Sequence, residues 1–345
     1  LMEGEWVPLW KKTQKWSIDG LKEIFDQFGL ELEHIYLEHD LIDDTHKIVK
    51  RLLTEGVAKM SQGAVIVDLE KQGLGVNLLR KSDGTLLYNA KDLALAYKKE
   101  NDYDADRLII VVDNRQSLAM SQLIVTLGLM GFPGEVDHLP YDMVTLPDGA
   151  MSSRKGNIVR WTDMYDTMYA NLVKETTARH PDWSTRKVAS TAKTLAIASV
   201  KFVMLRQDPE KVLTFDMDEA MSAEGYTAPY VLYTVARIHT LLNKAEIAPE
   251  QQAKLLTHPL ESSLLKMIAK LPDVVQGAGA TYRASAIAQY AFELSQEFAR
   301  YYEAVRILDD NNHDRVAARL GLLDAVRQTL SNAMGTLGIE VLKEM

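Results

Sequence analysis

The stretch Leu108-Ile109-Ile110-Val111-Val112-Asp113-Asn114-Arg115-Gln116 decides the fold of the first half of this chain. Its five consecutive apolar residues are typical of a strand that is buried on both faces of a parallel sheet. Polar residues then mark the carboxyl end of the strand, and a helix is predicted from there to about Met130. Ligands of doubly wound sheets bind at this end of the strands. We therefore expect functional side chains near Gln116.

A second candidate loop follows the next apolar stretch, which contains Met143, Val144 and Leu146. Its sequence is Ala150-Met151-Ser152-Ser153-Arg154-Lys155-Gly156-Asn157-Ile158-Val159, and a helix is predicted to begin near Thr162. Arginine offers a planar fork of N–H donors, lysine offers a compact charge, and glycine lets the backbone approach a ligand closely. The loop is therefore suited to binding polyphosphate. A solvated basic turn is the alternative interpretation when the loop is considered alone.

Helical and strand-like segments alternate upstream of these two loops. The predicted elements are helices over residues 17–28, 43–55 and about 90–100, and strands over 64–69, 76–80 and 86–88. The pair Asp83-Gly84 lies between the last two strands and is typical of a tight hairpin turn. Strand, helix, strand, loop and helix then follow in the order of half a doubly wound sheet.

After residue 162 the strand signals largely vanish and amphipathic helices dominate. They are predicted over residues 162–178, 184–206, 217–244, 259–271, 281–308 and 313–337. The next-to-last is the clearest, because its apolar residues recur every three or four positions. The predicted fold class is α/β plus all-α: a partial doubly wound, Rossmann-like parallel-sheet domain followed by a helical bundle.

The composition excludes several classes of protein. The 345 residues include no cysteine, which rules out disulfides, thiolate zinc sites and cysteine nucleophiles and fits a cytoplasmic protein. The eight histidines are scattered, so no metal site is expected. No segment approaches the ~20 apolar residues of a membrane span, and we expect no membrane association.

The charge distribution separates one part of the chain from the rest. The formal net charge is −9, which argues against a protein that coats nucleic acid non-specifically. Residues 150–211, however, carry 11 Lys and Arg against 6 Asp and Glu. An acidic body with a basic middle suits a selective nucleic-acid partner, and it equally suits an enzyme with a phosphate site.

Four ordered segments resemble arginyl-tRNA synthetase, a class I aminoacyl-tRNA synthetase. Leu146–Asn157 resembles the family's form of the second class I signature, and Lys81–Tyr88 with Asp92 resembles its arginine-site segment. Phe215–Arg237 resembles the start of the tRNA-binding helices, and Arg319–Met345 resembles the end of the anticodon-binding domain. The resemblance implies the remainder of a class I catalytic domain over residues 1–162, a helical connecting region over 163–215 and a helical anticodon-binding domain over 216–345.

The resemblance also implies a reaction. Such an enzyme activates L-arginine with ATP to arginyl-adenylate and transfers the arginine to tRNA(Arg), with Mg²⁺ bound mainly by the ATP. The implied catalytic residues, which neutralise charge on the leaving phosphates, are Ser152, Ser153, Arg154 and Lys155. The implied ATP contacts are Met151, Ser152, Lys155 and Gln122. No protein nucleophile is required, because this chemistry depends on alignment and on charge stabilisation.

The implied arginine site combines Tyr88, Asp92 and Gln116. A carboxylate can bind a guanidinium through two parallel hydrogen bonds, and a lysine cannot reproduce that geometry. Tyr88 and Asp92 are four residues apart where a strand is expected to give way to a helix, so both can face one cleft. Alternative interpretations are sheet packing for Tyr88 and a favourable helix-dipole position for Asp92.

Two residues near the carboxyl end are expected to contact tRNA. Phe298 and Tyr301 share the apolar stripe of a predicted helix, while Tyr302 is displaced by about 100° to the edge of that stripe. An aromatic ring at such an edge can stack on an unpaired anticodon base, with Met345 as a neighbour in the same contact. The alternative is that Tyr302 only packs against the final helix.

The chain departs from the family pattern at several points. Ala150 stands where the signature has its first lysine, Ala119 stands at a usual histidine, and Ala228 stands at a usual glycine. The first class I signature, His-Ile-Gly-His or a variant, is absent. We therefore expect this chain to be a carboxyl-terminal portion of a longer ligase, which acts as a monomer.

Two other functions remain open. One is a non-catalytic tRNA-binding fragment or synthetase-like relic, which the missing signature favours and the retained arginine-site residues oppose. The other is a different class I enzyme, such as the cysteinyl one. That enzyme selects its substrate through a thiolate-bound zinc, and this chain has no cysteine.

Overall fold

The computed structural model describes residues 4–147 and 160–345. In these ranges the α-helices are α1 (Val7–Gln27), α2 (Ile42–Thr54), α3 (Tyr88–Tyr103), α4 (Ser117–Leu129), α5 (Trp161–Arg179), α6 (Thr185–Leu205), α7 (Met217–Met221), α8 (Ala228–Lys244), α9 (Pro259–Thr281), α10 (Ser285–Ala304) and α11 (His313–Thr336). The strands are β1 (Lys59–Ser61), β2 (Ala64–Leu69), β3 (Gly75–Arg80), β4 (Arg107–Asp113), β5 (Glu135–Tyr141), β6 (Val144–Thr145) and β7 (Leu213–Thr214).

These elements form two compact units. The smaller unit is Glu31–Met143, and the larger unit combines Leu1–Leu30 with Val144–Met345. The sequence predicts domain boundaries at 162/163 and 215/216 instead. Those boundaries separate functional regions, and they stay predictions.

The smaller unit contains an antiparallel sheet, a parallel strand pair and helices packed around them. β2 is the centre of the order β1-β2-β3, and β4 pairs with β5 in parallel. Its core is formed by side chains that are 1% exposed or less, namely Val49, Leu52, Val65, Val67, Leu69, Leu79, Ala90, Leu93, Leu123 and Leu127. The helix connection between β4 and β5 confirms the βαβ pattern read from the sequence.

The predicted hairpin strand over residues 86–88 is wrong. The turn forms as expected, with Gly84 N donating to Lys81 O at 3.0 Å and Thr85 N donating to Asp83 Oδ1 at 2.9 Å. Beyond it, only Leu86 bridges back to β3, and Tyr88 already begins α3. The chain enters α3 too soon after the turn for a second strand to extend along the free edge of β3.

The prediction that residues 108–112 are buried on both faces is also wrong within the described structure. Alternate residues of β4 are exposed, with Ile109 at 45% and Val111 at 57%. Leu108, Ile110 and Val112 pack against the core of the smaller unit. β4 pairs with β5 alone, and the described elements cover one face of the pair.

The larger unit is mainly a helical bundle, in which α6, α8, α10 and α11 supply most of the core. Side-chain caps define several helix starts: Ser184, Thr227 and Asn312 each accept a hydrogen bond from a backbone N–H in the first turn. β6 and β7 form a short parallel pair beside the bundle. The fold class predicted from the sequence, a partial parallel-sheet domain plus a helical bundle, agrees with this architecture.

Several predicted helix boundaries are wrong. The single helix expected over 217–244 is two helices, because Ser222 ends α7, Gly225 adopts a φ of +81° and Thr227 caps α8. The helix expected over 259–271 continues to Thr281 through Pro272. α1 begins at Val7, ten residues before the expected cap Ser17.

A fully buried carboxylate connects α9, α10 and α11. Glu261 Oε1 accepts from Tyr301 Oη at 3.0 Å and from Arg319 Nε at 2.8 Å. Glu261 Oε2 accepts from the backbone N of His258 at 2.9 Å, which completes a capping box at the start of α9. Arg319 Nη1 also donates to Asp310 at 2.9 Å. Burial and the Glu261 charge raise the pKa of Tyr301, so its hydroxyl stays protonated as a donor.

α6 is long and apolar enough to cross a membrane by length and composition alone, with a mean hydropathy of 1.4 in its best window. More than half of that window, 56%, is buried inside the unit. The buried face packs against α5 and α8. Within the described residues, α6 therefore has the burial of a core helix.

We expect Arg319→Met to lower the free energy of unfolding by about 3–5 kcal/mol, because it leaves the buried Glu261 charge without its cationic partner. Urea denaturation followed by circular dichroism measures the change. The matched control is Arg327→Met in the same helix, which breaks a partly exposed pair with Asp324 and should cost less than about 1 kcal/mol. Equal losses in the two variants would contradict the role of Glu261.

Candidate functional site

Tyr88, Asp92 and Gln116 line one cavity of the smaller unit. Its volume is about 190 Å³, and it lies between α3, β4 and the start of α4. Tyr88 and Asp92 are one turn apart on α3, and Gln116 precedes α4 at the carboxyl end of β4. The structure thus brings together the three residues that the sequence assigns to an arginine site. Their role in binding arginine stays a prediction.

Asp92 has the most distinctive environment in this cavity. It is half-buried, and no hydrogen bond or ion pair joins its carboxylate to another described residue. Burial raises the pKa of Asp92, and the nearby Glu38 charge raises it further, while Lys99 and Lys91 act in the opposite direction. A desolvated carboxylate without a partner is costly unless a cation binds it. The arrangement therefore suits a cationic ligand.

Tyr88 presents its ring at the mouth of the cavity. As the first residue of α3 it is 71% exposed, so sheet packing does not explain it. Lys91 Nζ lies 5.4 Å from the ring centroid and is ion-paired with Glu38. The Tyr88 side chain therefore has a cation on one side and is accessible to a ligand.

Gln116 ends the 3-10 turn that joins β4 to α4. Arg115 donates two hydrogen bonds of 2.8 Å to Asp113, one to each carboxylate oxygen. These bonds, with one from the Arg115 backbone N–H, lower the pKa of Asp113 to about 2. The turn is fixed by this pair, and the exposed Gln116 side chain is left available to a ligand in the cavity.

Gln122 has partners inside the protein. It is 7% exposed, and its amide donates to the backbone carbonyls of Leu74 at 2.8 Å and Val76 at 3.3 Å. Its carbonyl accepts from Asn89 at 3.4 Å. These bonds connect α4 to β3 and α3. They also fix the position of the Gln122 side chain, and its contact with ATP stays a prediction.

The phosphate-type loop lies outside the described residues. This applies to the predicted Met151, Ser152, Ser153, Arg154 and Lys155. The described flanks are β6, which pairs with β7, and Arg160, which is ion-paired with Asp163 at the start of α5.

Tyr302 lies in an aromatic and cationic cluster on the larger unit. It is 38% exposed on α10, whereas the neighbouring Tyr301 is fully buried. The Arg237 guanidinium carbon lies 5.2 Å from the Tyr302 ring centroid and 4.7 Å from that of Tyr233. Exposed rings around a guanidinium can stack on nucleic-acid bases. The placement of Tyr302 at the edge of the apolar stripe is as expected.

Met345 lies in a different group of side chains. It lines a small cavity with residues of α5 and with Pro229. The neighbouring Glu344 is ion-paired with Lys187. No described contact joins Met345 to Tyr302, and a shared contact with RNA stays a prediction.

Sequence reasoning missed Glu38, Lys91 and Lys99 around the cavity. Lys99 is seven residues after Asp92 on α3, and this helical spacing could have found it. Glu38 is distant in sequence and approaches Asp92 only through the fold, so no local signal was available. Among residues 4–147 and 160–345, no group of three His, Asp or Glu side chains is arranged to hold a metal ion.

Comparison with known proteins identifies the family. The family model described as "tRNA synthetases class I (R), catalytic domain" matches residues 2–217, and the "DALR anticodon binding domain" model matches residues 231–345. A curated relative, the arginine–tRNA ligase of Bdellovibrio bacteriovorus, is 35% identical over 99% of this chain and 60% of its own length. The chain belongs to the class I tRNA synthetases, in the arginyl-tRNA synthetase family.

Solved structures have the same fold. The Thermus thermophilus arginyl-tRNA synthetase matches with a TM-score of 0.79 and 24% identity, over 88% of this chain and 58% of that one. The Plasmodium falciparum enzyme matches with a TM-score of 0.83 and 18% identity, over 98% of this chain and 58% of that one. The coverage is similar among the curated relatives, since the chain spans about 60% of the length of the Bdellovibrio bacteriovorus ligase.

We expect Asp92→Asn to raise the free energy of unfolding near pH 7. The pKa of Asp92 is higher in the folded state, so its ionisation opposes folding, and this penalty disappears as the pH falls towards about 4, the ordinary pKa of aspartate. Urea denaturation across this pH range measures the difference between variant and wild type.

The control is Asp113→Asn, for which the opposite sign is expected. Because the pKa of Asp113 is lowered to about 2, its ionised form stabilises the fold above about pH 4, and that contribution is lost as the pH falls through 2. Asp113→Asn should therefore lower stability near pH 7. An Asp92→Asn protein no more stable than wild type at pH 7 would contradict the proposed strain at Asp92.

Proposed function

We propose that this chain is part of an arginine–tRNA ligase that activates L-arginine with ATP and transfers it to tRNA(Arg). The observation that carries the proposal is the half-buried Asp92 carboxylate, which has no described partner and shares a cavity with Tyr88 and Gln116. Family membership supports the reaction class. The chain spans about 60% of the first relative's length, so the activity is proposed for the protein expressed from its complete reading frame.

Asp92 binds the substrate guanidinium. The carboxylate offers two oxygens to the planar fork of N–H donors, and the ligand charge relieves the cost of burying Asp92. Tyr88 contacts the flank of the side chain, and Gln116 accepts from the remaining donors or from the α-amino group. A lysine substrate would satisfy the charge and lose the bidentate geometry, which is the basis of selection.

Activation begins when the arginine α-carboxylate attacks the α-phosphorus of ATP. The bond to pyrophosphate breaks, and arginyl-adenylate forms. Ser152, Ser153, Arg154 and Lys155 stabilise the charge on the leaving phosphates, because hydroxyls and cations meet charge that grows in the transition state. Met151 and Gln122 contact ATP.

Mg²⁺ supplies further charge neutralisation when ATP carries it. The ATP phosphates hold the ion, and no protein ligand is required for it. In the transfer step a ribose hydroxyl of the tRNA 3′ end attacks the arginyl carbonyl, and AMP leaves.

The helical unit binds tRNA(Arg). Tyr302 stacks on an unpaired anticodon base, and Arg237, held between Tyr302 and Tyr233, adds a cation at the same surface. Met345 contributes at the carboxyl end. The protein acts as a monomer in the cytoplasm, without membrane association, which the absence of cysteine and the burial of α6 support.

A second candidate function is tRNA binding without catalysis. The helical unit favours it, since a surface with aromatic rings and a guanidinium can bind RNA without a catalytic site. The unpartnered Asp92 carboxylate opposes it, because a binding module gains nothing from a strained acidic side chain in a cavity.

The central test is Asp92→Asn in the protein expressed from its complete reading frame. We expect the KM for arginine in ATP–pyrophosphate exchange to rise by one to several orders of magnitude, because loss of one partner of a buried charge pair costs roughly 2–5 kcal/mol. The KM for ATP should change little.

The control is Asp106→Asn, which removes an exposed carboxylate in the same unit and should leave both constants unchanged. Arginine kinetics that are identical in the two variants would reject Asp92 as the guanidinium ligand. If the complete protein shows no exchange but binds tRNA, the non-catalytic alternative is favoured.

We expect Tyr302→Ala to weaken tRNA(Arg) binding by ~1–3 kcal/mol, the usual value of one base–aromatic stack, without affecting arginine activation. Tyr302→Phe keeps the ring and should bind tRNA as the wild type does. Filter binding measures affinity, and circular dichroism checks the fold. Normal tRNA binding by Tyr302→Ala would assign this residue to packing alone.

A further inference from the structure

The helical unit contains a groove of about 710 Å³ that the proposed reaction does not use. One wall is a face of α6, a second is the end of α1 with residues 28–30, and a third is the segment 337–340 after α11. This volume lies in the range of small-molecule sites. Both lysines of the groove are on the α6 wall.

The polar groups of the α6 wall lie on one face of the helix. Ser190, Lys193, Thr194 and Lys201 occupy positions i, i+3, i+4 and i+11, and the apolar Ile197 lies among them at i+7. The opposite face of α6 is core, with Val200 and Phe202 at most 3% exposed. The polar groups are therefore held on a rigid support.

The two lysines have unused hydrogen-bonding capacity. Lys193 makes no hydrogen bond or ion pair with another described residue, and neither do the hydroxyls of Ser190 and Thr194. Lys201 Nζ donates to the carbonyl oxygen of Gly338, which leaves two of its three N–H donors. Partial burial lowers the pKa of the Lys201 ammonium, so an anion beside it would relieve the cost of desolvation.

Gly338 lines the third wall of the groove and supplies the carbonyl oxygen that accepts from Lys201. Its φ is +66°, a left-handed conformation that favours glycine. A Cβ at this position would lie 3.4 Å from Lys201 Nζ, an ordinary van der Waals distance. The preference for glycine here therefore comes from the backbone conformation.

The remaining surface of the groove is suited to a base and a ribose. Phe28, Ile197 and Leu205 give apolar area, and the carboxylates of Asp26 and Glu340 are acceptors on the walls opposite α6. Neither carboxylate is ion-paired with Lys193 or Lys201. Two ammonium groups on α6, apolar area around Phe28 and Ile197, and acceptors on the walls opposite α6 together match the phosphate, the base and the ribose of a nucleotide.

We propose that this groove binds a 5′-phosphorylated nucleotide, with its phosphate on Lys193 and Lys201 and its base against Phe28 and Ile197. The nucleotide is either an unpaired residue of an RNA or a free mononucleotide. Only the RNA source rests on the proposed function, since that function supplies a tRNA partner.

The first experiment compares uridine 5′-monophosphate with uridine on this chain. A pyrimidine probe avoids the proposed ATP site, which would take an adenine nucleotide. The methyl resonance of Ile197 in ¹³C-methyl-labelled protein is the readout, because Ile197 lines the groove. We expect the monophosphate to shift this resonance and to bind about tenfold or more tightly than uridine, since hydrogen bonds to a charged phosphate are the strong ones.

The variants are Lys193→Gln and Thr194→Val, each of which removes polar contact from the exposed side of α6 without entering its core. Lys193→Gln should weaken uridine monophosphate binding about tenfold. Lys270→Gln on α9 is the matched control, because Lys270 is an exposed lysine outside the groove. Circular dichroism verifies that all three variants fold.

The second experiment identifies the source of the nucleotide. If the groove takes an RNA residue, Lys193→Gln and Thr194→Val should weaken tRNA(Arg) binding relative to Lys270→Gln, and tRNA should shift the Ile197 resonance. If the groove takes a free nucleotide, tRNA affinity is unchanged and uridine monophosphate binding is still lost in Lys193→Gln.

The proposal is overturned if uridine and its monophosphate bind equally, or if Lys193→Gln binds the monophosphate as Lys270→Gln does. Failure of the ligase proposal has a different signature, namely absence of arginine activation in the complete protein. Binding of the mononucleotide to this chain is measured without that activity, so the two results are separable.

Discussion

The buried carboxylate of Glu261 is the constraint on which the arrangement of the helical unit depends. A charge removed from water must find partners inside the protein, or several kcal/mol of stability are lost. Tyr301, Arg319 and the His258 backbone N–H supply them, from α10, α11 and the start of α9. These hydrogen bonds fix the three helices against one another. Because Tyr301 must point inward to Glu261, the next residue, Tyr302, is rotated by about 100° towards solvent and Arg237.

Asp92 is the opposite case of the same chemical group. Its carboxylate is half-buried, as in an ion pair, yet no described side chain is its cationic partner. The two carboxylates differ in their partners: Glu261 is fully hydrogen-bonded, whereas Asp92 is partly desolvated and has no described partner, a cost that the proposed binding of a guanidinium would relieve. Proteins keep such strained groups where a ligand relieves the strain. The unpaired carboxylate is therefore stronger support for a cationic substrate than the cavity that surrounds it.

The parts of the fold that local patterns control were predictable from the sequence. The bounds of β2 and the turn at Asp83-Gly84 were correct, since a short run of β-branched apolar residues and turn chemistry act within a few positions. The strand predicted over residues 86–88 was wrong because the chain begins α3 at Tyr88, directly after a single bridge to β3. The predicted burial of Ile109 and Val111 was wrong. An apolar run indicates that both faces of a strand can be buried, but the elements that pack against the strand determine which faces are buried.

In the candidate sites, too, local sequence patterns were predictable and contacts made through tertiary structure were not. The cavity of Tyr88, Asp92 and Gln116 was found through a resemblance, whereas Glu38 is brought to Asp92 only by tertiary structure. Gln122 is expected to contact ATP because of the same resemblance, and no sequence pattern predicts its hydrogen bonds to the backbone carbonyls of Leu74 and Val76. Sequence reasoning finds side chains that share a helix face. It does not find those that a sheet edge or a long connection brings together.

Both candidate recognition surfaces of the helical unit lie beside residues that the core fixes. Tyr302 follows the fully buried Tyr301, and Lys201 lies between the buried Val200 and Phe202. On a helix, neighbouring side chains differ by about 100° in direction, so an inward residue determines where the next one points. The ligand-facing groups are thus positioned by the core as well as by their contacts with Arg237 and Gly338, and their ordering adds little entropic cost when a ligand binds. It follows that a core substitution that rotates α6 or α10 changes the direction of the ligand-facing side chains, even where the substituted residue contacts no ligand.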